Sequence, residues 1–246
     1  MDRLLYVAMS GARETLRAQA SNNHNLANAS TTGFQANMTA FRAQAVQGAG
    51  FDSRVYALHS ATGIDHSVGT QQTTGRDLDV AMQGSGFLTV QAPDGREAYT
   101  RAGNLRVDAQ GQLTTATGMP VLGDNGPISV PPNTALLVGG DGTLSIIPQG
   151  SGPETKAVVG RIKLVDPPVD QMVKGNDGLL RLADGTDAPV SASARLASGV
   201  LESSNVNIAT AMVNMIELAR RFDLQVKAMR TAEDDAAAAS QLLRNG

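Results

Sequence analysis

The final stretch of the chain, Val206 to Leu243, constrains the fold more than any other. Ile208, Met212, Met215, Ala219, Phe222, Val226, Met229, Ala236 and Leu243 fall on a 4-3-4-3 ladder, and no Gly or Pro interrupts the run before Gly246. Apolar residues at that spacing define one stripe of a helix, and the spacing is that of a coiled-coil seam. Glu233 and Ser240 soften the stripe toward its end. Ser203, Ser204 and Asn205 precede it and can cap the orphan amides of its first turn. A helix of this length spans roughly 55 Å at about 1.5 Å per residue. It needs a partner helix, from its own chain or another.

A partner stands at the opposite end of the chain. Leu5, Met9, Ala12, Leu16, Gln19, Asn23 and Leu26 form a second 4-3-4-3 ladder, within a helix expected over Met1 to Ala29. Gly11 lies inside that helix and weakens it by up to about 1 kcal/mol relative to Ala. Two readings stand: a pair of surface helices on one globular core, or a projecting two-helix arm. The lengths of the ladders and the irregular sequence between them favour the arm.

Between the ladders the chain changes character. Ser21-Asn22-Asn23-His24-Asn25-Leu26-Ala27-Asn28 is crowded with Asn, a poor interior helix residue whose amide both donates and accepts. Read blandly it is a frayed, capped helix end before a Thr-Thr-Gly turn. Read functionally it is a polar seam that fixes the register of neighbouring helices, with Leu26 and Phe34 as apolar anchors. Residues 36–75 are rich in Ala, Gln, Thr and Gly and read as an extended linker holding a short helix or hairpin. From Asp77 the apolar period becomes two. Leu78, Val80 and Met82 alternate with polar neighbours, and Asp94-Gly95, Asp141-Gly142, Asp177-Gly178 and Asp184-Gly185 mark turns. The 26 Gly and 10 Pro lie mostly in this middle region. Short strands with regular turns predict an antiparallel β domain.

The expected fold is therefore α+β: long N- and C-terminal α-helices paired as a coiled-coil-like arm, with a central antiparallel β domain. Residues 1–35 and 200–246 would form one discontinuous helical domain, 36–75 the linker, and 76–199 a mostly β outer domain.

Composition narrows the function. The chain has 246 residues, a formal charge of −3 and 3% aromatic residues with no Trp. It lacks the basic field and the stacking platforms that nucleic-acid binding uses, so no nucleic-acid partner is expected. No apolar run is long enough to span a bilayer, and no membrane insertion is expected. Residues 1–30 are amphipathic rather than a basic start followed by an apolar block, so the expectation is a chain that travels without a cleaved signal peptide. Cysteine is absent, which removes disulfides and thiolate metal sites.

No constellation assembles a catalytic site. The histidines are His24, His59 and His66; His59 and His66 have only Asp65 near them at a ligand spacing. No G-x-S-x-G elbow occurs. Gly84-Ser85-Gly86 opens like a dinucleotide fingerprint but lacks the third Gly and leads toward a strand. Gly139-Gly140-Asp141-Gly142 occurs once, whereas calcium-binding β-rolls stack many such repeats. The chain is expected to be no enzyme and to carry no cofactor and no metal.

Three blocks together resemble the rod and hook proteins of the bacterial flagellum. The first is Asn23-His24-Asn25-Leu26-Ala27-Asn28-Ala29-Ser30-Thr31-Thr32-Gly33-Phe34, similar to that family's Asn-Leu-Ala-Asn signature followed by Thr, Gly and an aromatic. The second is Leu78-Asp79-Val80-Ala81-Met82-Gln83-Gly84-Ser85-Gly86-Phe87 with Ala98-Tyr99-Thr100-Arg101-Ala102-Gly103-Asn104. The third is Gly199-Val200-Leu201-Glu202-Ser203-Ser204-Asn205-Val206-Asn207. The opening Met1-Asp2-Arg3-Leu4-Leu5-Tyr6-Val7-Ala8-Met9-Ser10-Gly11-Ala12 and the run Ala219-Arg220-Arg221-Phe222-Asp223-Leu224-Gln225-Val226-Lys227 resemble the proximal-rod members rather than the distal-rod ones. His24 stands where a small polar residue is common in the family, and Thr32 where Pro is common.

The resemblance implies a structural subunit of the basal-body rod, the drive shaft that transmits torque from membrane ring to hook. It implies export through the flagellar apparatus, assembly in the periplasm, self-association, and contacts with proximal and distal rod subunits. Its assembly interface would comprise Leu5, Met9, Leu16, Asn23, Asn25, Leu26, Asn28 and Phe34 at the N-terminal end, with Ile208, Met212, Met215, Phe222, Val226, Met229 and Leu243 at the C-terminal end. The free subunit would hold a folded β domain with disordered ends. A distal-rod or hook-type axial protein is the near alternative, and a secreted β-domain enzyme or ligand binder the distant one.

Overall fold

The computed structural model describes residues 2–45, 55–150 and 155–245. Helix α1 runs Asp2–Ala27 and helix α2 Ile208–Asn245. Between them lie strands β1 (Asn37–Ala45), β2 (Val55–Ile64), β3 (Gln71–Thr73), β4 (Val80–Gln83), β5 (Phe87–Gln91) and β6 (Glu97–Thr100), followed by further short strands as far as Val200–Glu202. The chain divides into two units. One comprises residues 1–29, 37–63 and 206–246; the other comprises 30–36 and 64–205.

In the first unit α1 and α2 lie side by side. A Cβ at Gly11 would meet the Gln225 side chain at 3.0 Å, and Asn22 Nδ2 donates to the Ala211 carbonyl oxygen at 2.8 Å. The register falls on α2 as it rises on α1, so the helices are antiparallel. The start of α2 is capped by Asn207, whose Oδ1 accepts from the Thr210 amide at 3.0 Å. The cap therefore lies two residues beyond the Ser203 to Asn205 group to which the sequence pointed. α1 ends where Asn28 Nδ2 donates back to the His24 carbonyl at 2.9 Å. Within the stretch 36–75, expected as an extended linker holding a short helix or hairpin, β1 and β2 pair in a two-stranded sheet.

The α+β class holds, but the coiled-coil arm does not. A coiled-coil seam inserts large apolar knobs from both helices. Here the shielded positions of α1 are Ala8, Ala12, Glu14, Thr15 and Ala18, with Gly11 against Gln225. The ladder residues Met9 and Leu16 are 52% and 49% exposed, and Ile208 and Met212 on α2 are exposed to the same degree. The shielded positions of α2 are Ala211, Leu218 and Ala232, with Met215, Phe222, Val226 and Met229 half-buried around them. Small residues let the two backbones approach closely, and of the large ladder residues Met9, Leu16, Ile208 and Met212 are turned away from the pair.

The β domain is built from hairpins. A five-stranded antiparallel sheet runs in the order Leu164–Val165, β5, β6, Leu180–Leu182, Met172–Lys174. A three-stranded sheet joins Asn133–Val138, Thr143–Pro148 and Ala157–Arg161. β4 pairs with Arg195–Ser198, and β3 with Val200–Glu202. The main core gathers Val80, Met82, Leu88, Val90, Leu105, Leu113, Val121, Leu144, Ile162 and Leu164, all essentially inaccessible to solvent. Burying each such side chain contributes about 1.5–3 kcal/mol. A second cluster holds Phe87, Tyr99, Val165, Met172, Leu180 and Ala188. There the Tyr99 hydroxyl accepts from the Ala188 amide at 2.6 Å.

Candidate assembly interface

The helical unit presents an apolar surface that its own fold does not cover. On α1 the exposed large residues are Leu5, Tyr6, Met9 and Leu16; on α2 they are Ile208, Met212, Val213, Ile216 and Leu224. Ile208, Met212, Ile216, Arg220 and Leu224 follow one another at steps of four. They lie along a single i+4 ridge, the feature by which helices interdigitate with neighbours. Isolated exposed apolar residues are ordinary, but a continuous run of them marks an interaction surface.

The residues expected at an interface separate into two kinds. Leu5, Met9, Leu16, Ile208 and Met212 are outward, and Asn23 is exposed beside them. Leu26, Met215, Phe222, Val226 and Met229 are half-buried within the helical unit. The side chain of Leu243 lies outside the described residues. Tyr6, Val213, Ile216 and Leu224 are outward residues that the ladder missed. Their signal was present as large apolar residues off the 4-3-4-3 spacing.

The Asn-rich signature acts inside the chain. Asn25 brackets the start of β1: its Nδ2 donates to the Asn37 carbonyl at 2.8 Å and its Oδ1 accepts from the Asn37 amide at 2.8 Å. Asn37 Nδ2 also lies 3.3 Å from His24 Nδ1. With Asn22 on the Ala211 carbonyl and Asn28 closing α1, the cluster fixes α1 against α2 and β1 at the same end. Beside it an open cleft of about 350 Å³ is lined by Asn22, Asn25, Glu217 and Arg221 together with Met38 and Leu218.

In the β domain the quoted blocks converge. Arg101, 3% exposed, donates from Nε to Glu202 at 3.0 and 2.9 Å, and its remaining nitrogens reach the carbonyls of Gly86 at 3.0 Å and Gly84 at 2.9 Å. Glu202, 2% exposed, also accepts from the Gly69 amide at 3.0 Å. The guanidinium stands 5.7 Å over the Phe87 ring. Gly33 donates to the Glu202 carbonyl at 2.8 Å. Its φ of +66° and its approach to the Arg101 backbone, where a Cβ would sit 2.2 Å from the carbonyl carbon, admit only glycine.

Phe34 is half-buried beneath Lys174, whose Nζ is 3.8 Å from the ring centroid and donates to the Gln35 carbonyl at 2.7 Å. Burial pulls the Lys174 pKa down to about 8. Asn205 completes the crossing. Its Oδ1 accepts from the Ala36 amide at 2.8 Å, its Nδ2 donates to the Asp65 carbonyl at 2.8 Å, and its own amide donates to the Phe34 carbonyl at 3.2 Å. Sequence reasoning placed Phe34 at an anchor position but had no means of finding the Arg101–Glu202 pair, whose members are 101 residues apart.

Among the described residues, no group of three or more His, Asp or Glu is placed to hold a metal. The described polar clusters tie backbone segments together.

Comparison with known proteins gives the arrangement its context. Residues 81–146 match the family described as flagellar hook protein FlgE/F/G D1 domain, and residues 197–242 match the flagellar basal body rod FlgEFG protein C-terminal family. The flagellar basal-body rod protein FlgF of Escherichia coli strain K12 is 45% identical over 99% of each chain. That of Salmonella typhimurium strain LT2 is 44% identical over the same shares. The flagellar basal-body rod protein FlgG of Buchnera aphidicola subsp. Acyrthosiphon pisum is 32% identical, over 89% of this chain and 92% of its own. An antiparallel helix pair with an uncovered apolar ridge, a β domain clasped by three signature blocks, and full-length identity at this level have one reading: the chain belongs to the FlgF family of flagellar basal-body rod proteins.

Proposed function

We propose that the chain is a structural subunit of the proximal rod of the flagellar basal body, and that it enters the rod by laying the outward faces of α1 and α2 against neighbouring subunits. The observation that carries this reading is the ridge Ile208, Met212, Ile216 and Leu224, with Leu5, Tyr6, Met9 and Leu16 on the other helix, all large and all uncovered. Each is about half exposed or slightly less or more, so covering it in an assembly contributes on the order of 1 kcal/mol. Summed over two helices per subunit and repeated along a shaft, that is enough to hold an axial structure. The contacts would be heterologous, one face meeting a different face on the next subunit, which builds helical filaments rather than closed dimers.

Within this reading the partners are further copies of the chain and other rod proteins. Export runs through the flagellar apparatus without a cleaved signal peptide, and assembly takes place in the periplasm. The role is to carry torque, which calls for packing and not for catalysis. Among the described residues no helix is long and apolar enough to cross a membrane.

The test is a double substitution, Met212→Asp with Ile216→Asp, in a motile strain. Both side chains point outward, so the isolated protein should keep its helix content and its β domain. In the rod both carboxylates would be desolvated without partners, a cost of several kcal/mol. The expected result is loss of swimming, with basal bodies that stop short of the hook in electron micrographs. Normal motility with complete basal bodies would remove this face from the assembly.

A further inference from the structure

Tight turns of the β domain brace an acidic side chain in one recurring way. The carboxylate Oδ1 accepts from the backbone amide two residues further on. Asp94 accepts from Arg96 at 3.1 Å, Asp141 from Thr143 at 3.1 Å, Asp177 from Leu179 at 3.1 Å and Asp184 from Thr186 at 3.0 Å. Local bonds of this kind are how Asp and Asn stabilise a turn. Each of these four residues is followed by Gly.

The hairpin of Leu122–Gly123 with Gly126–Pro127 departs from the rule. Asp124 and Asn125 form its two-residue tip, and both are exposed. The amide two residues beyond Asn125 would belong to Pro127, and proline has no N–H to donate. The brace is therefore unavailable, and among the described residues the Asn125 side chain has no hydrogen-bond partner. The next residue is Gly126, at φ +108°, and a Cβ built on it would meet nothing within 4 Å. An unbraced side-chain amide thus precedes a peptide nitrogen that no side chain shields.

We propose that Asn125 is a site of spontaneous deamidation and isoaspartate formation. The Gly126 nitrogen gives its proton to solvent base and attacks Asn125 Cγ. The new N–Cγ bond closes a five-membered imide, the Cγ–Nδ2 bond breaks, and Nδ2 leaves as ammonia after taking a proton from water. A second water then opens the imide. Breaking the N–Cγ bond gives aspartate with the normal main chain. Breaking the bond between the nitrogen and the Asn125 backbone carbonyl carbon leaves the main chain running through Cγ, an isoaspartyl link. The balance is one water consumed and one ammonia released, with nothing oxidised or reduced. The Asp-Gly turns offer the same nitrogen, but their ionised carboxylates are poor electrophiles and must first give up the hydrogen bond that braces them.

The attack needs the tip to leave its turn geometry briefly, and this hairpin opens easily. It pairs only Gly123 with Gly126 and Leu122 with Pro127 before the next bond, from the Ile128 amide to the Val121 carbonyl at 3.1 Å. Pro127 contributes no N–H to that ladder. The isoaspartyl product adds one methylene to the main chain at the tip, so the Gly123–Gly126 register cannot be kept. This inference concerns the β domain and is independent of its place in a rod.

The test follows the full-length protein, held folded at mildly alkaline pH, by peptide mass spectrometry, with electron-transfer fragmentation to separate isoaspartyl from aspartyl. Asn-Gly occurs twice in the sequence, at 125–126 and 245–246, and the two sites are read in separate peptides. The expected result is replacement of the amide by a hydroxyl at Asn125, with both products present, while Asn104, Asn133 and Asn176 stay intact. Pro127→Ala keeps the Asn-Gly pair and supplies the missing N–H. It should slow conversion in the folded protein by roughly two- to tenfold, the worth of one hydrogen bond, and leave the rate in urea unchanged. If that variant does not fold, Pro127→Ser serves for the same comparison. Asn125 staying intact in the folded protein while the urea-unfolded chain converts would overturn the proposal. So would a folded proline variant that converts as fast as the parent.

Discussion

Replacing Glu202 with Ala is the sharpest perturbation of the β domain. Both members of the Arg101–Glu202 pair have side chains only 2% exposed. Removing the carboxylate leaves a guanidinium in the interior with two carbonyls, Gly84 and Gly86, as its remaining acceptors, and strips the Gly69 amide of its partner. Breaking a buried ion pair from one side costs about 3–5 kcal/mol, because the surviving charge stays desolvated. Taking about 4 kcal/mol and a urea slope of about 2 kcal/mol per molar, the unfolding midpoint of the β domain should fall by about 2 M. The chain has no Trp, and its tyrosines are Tyr6, Tyr56 and Tyr99. A Tyr6→Phe, Tyr56→Phe background makes the buried Tyr99 the tyrosine reporter of this domain. The double variant Arg101→Met, Glu202→Leu removes both charges at similar volume and should recover most of the loss. A midpoint for Glu202→Ala within about 0.3 M of the parent, which corresponds to roughly 0.6 kcal/mol at that slope, would refute the reasoning. So would a double variant as unstable as the two single changes summed.

Three further outcomes follow from the geometry. Gly33→Ala should destabilise the β domain by more than about 2 kcal/mol, since it adds a left-handed strain to a Cβ lodged 2.2 Å from the Arg101 carbonyl carbon; urea unfolding read at Tyr99 tests it. Gly11→Ala should be neutral or stabilising by up to about 1 kcal/mol in helix propensity, because the atoms it meets at 3.0 Å are the movable end of Gln225. Gly11→Leu should separate the helices, and circular dichroism melts distinguish the two. The Lys174 pKa is lowered to about 8 while an unfolded lysine titrates near 10.4, so the folded state binds fewer protons between those values. Stability should therefore rise with pH from about 8 to 10.4, and Lys174→Met should flatten that part of a urea-midpoint profile.

The sequence was most readable where one period dominates over many residues. The expected terminal helix, Val206 to Leu243, differs by two residues at each end from α2. The alternation at Leu78, Val80 and Met82 overlaps β4, and Asp94-Gly95 sits between β5 and β6 as turn chemistry requires. The phase of the helices was less readable, for a physical reason. A ladder of large apolar residues shows that a helix has an apolar face; it does not show whether that face meets the same chain or a neighbour. On α1 the intramolecular face is written in Ala8, Gly11, Thr15 and Ala18, residues with low weight on any hydrophobicity count, while Met9 and Leu16 advertise a face left outward. Met215, Phe222 and Met229 fell on the shielded side of α2, whereas Ile208 and Met212 did not. The Arg101–Glu202 clasp was illegible because pairing at that separation leaves no local period. The remaining clue was a charged residue set within glycine-rich and apolar neighbours, in Tyr99-Thr100-Arg101-Ala102-Gly103 and again in Gly199-Val200-Leu201-Glu202.

The same clasp governs when the β domain can finish folding. It closes a loop of 101 residues, for which the entropy of bringing the ends together is roughly 4 kcal/mol, growing only as the logarithm of length. That term must be met before the ion pair contributes anything, so Arg101 and Glu202 belong among the last contacts to form and not to the nucleus. A chain emerging from the ribosome holds Arg101 without its carboxylate until about four fifths of the protein has been made. Until then the guanidinium has every reason to stay in water, and the hairpins around it cannot pack shut. A partly synthesised chain is thereby kept open, and closure waits for residues that sit immediately before the last helix.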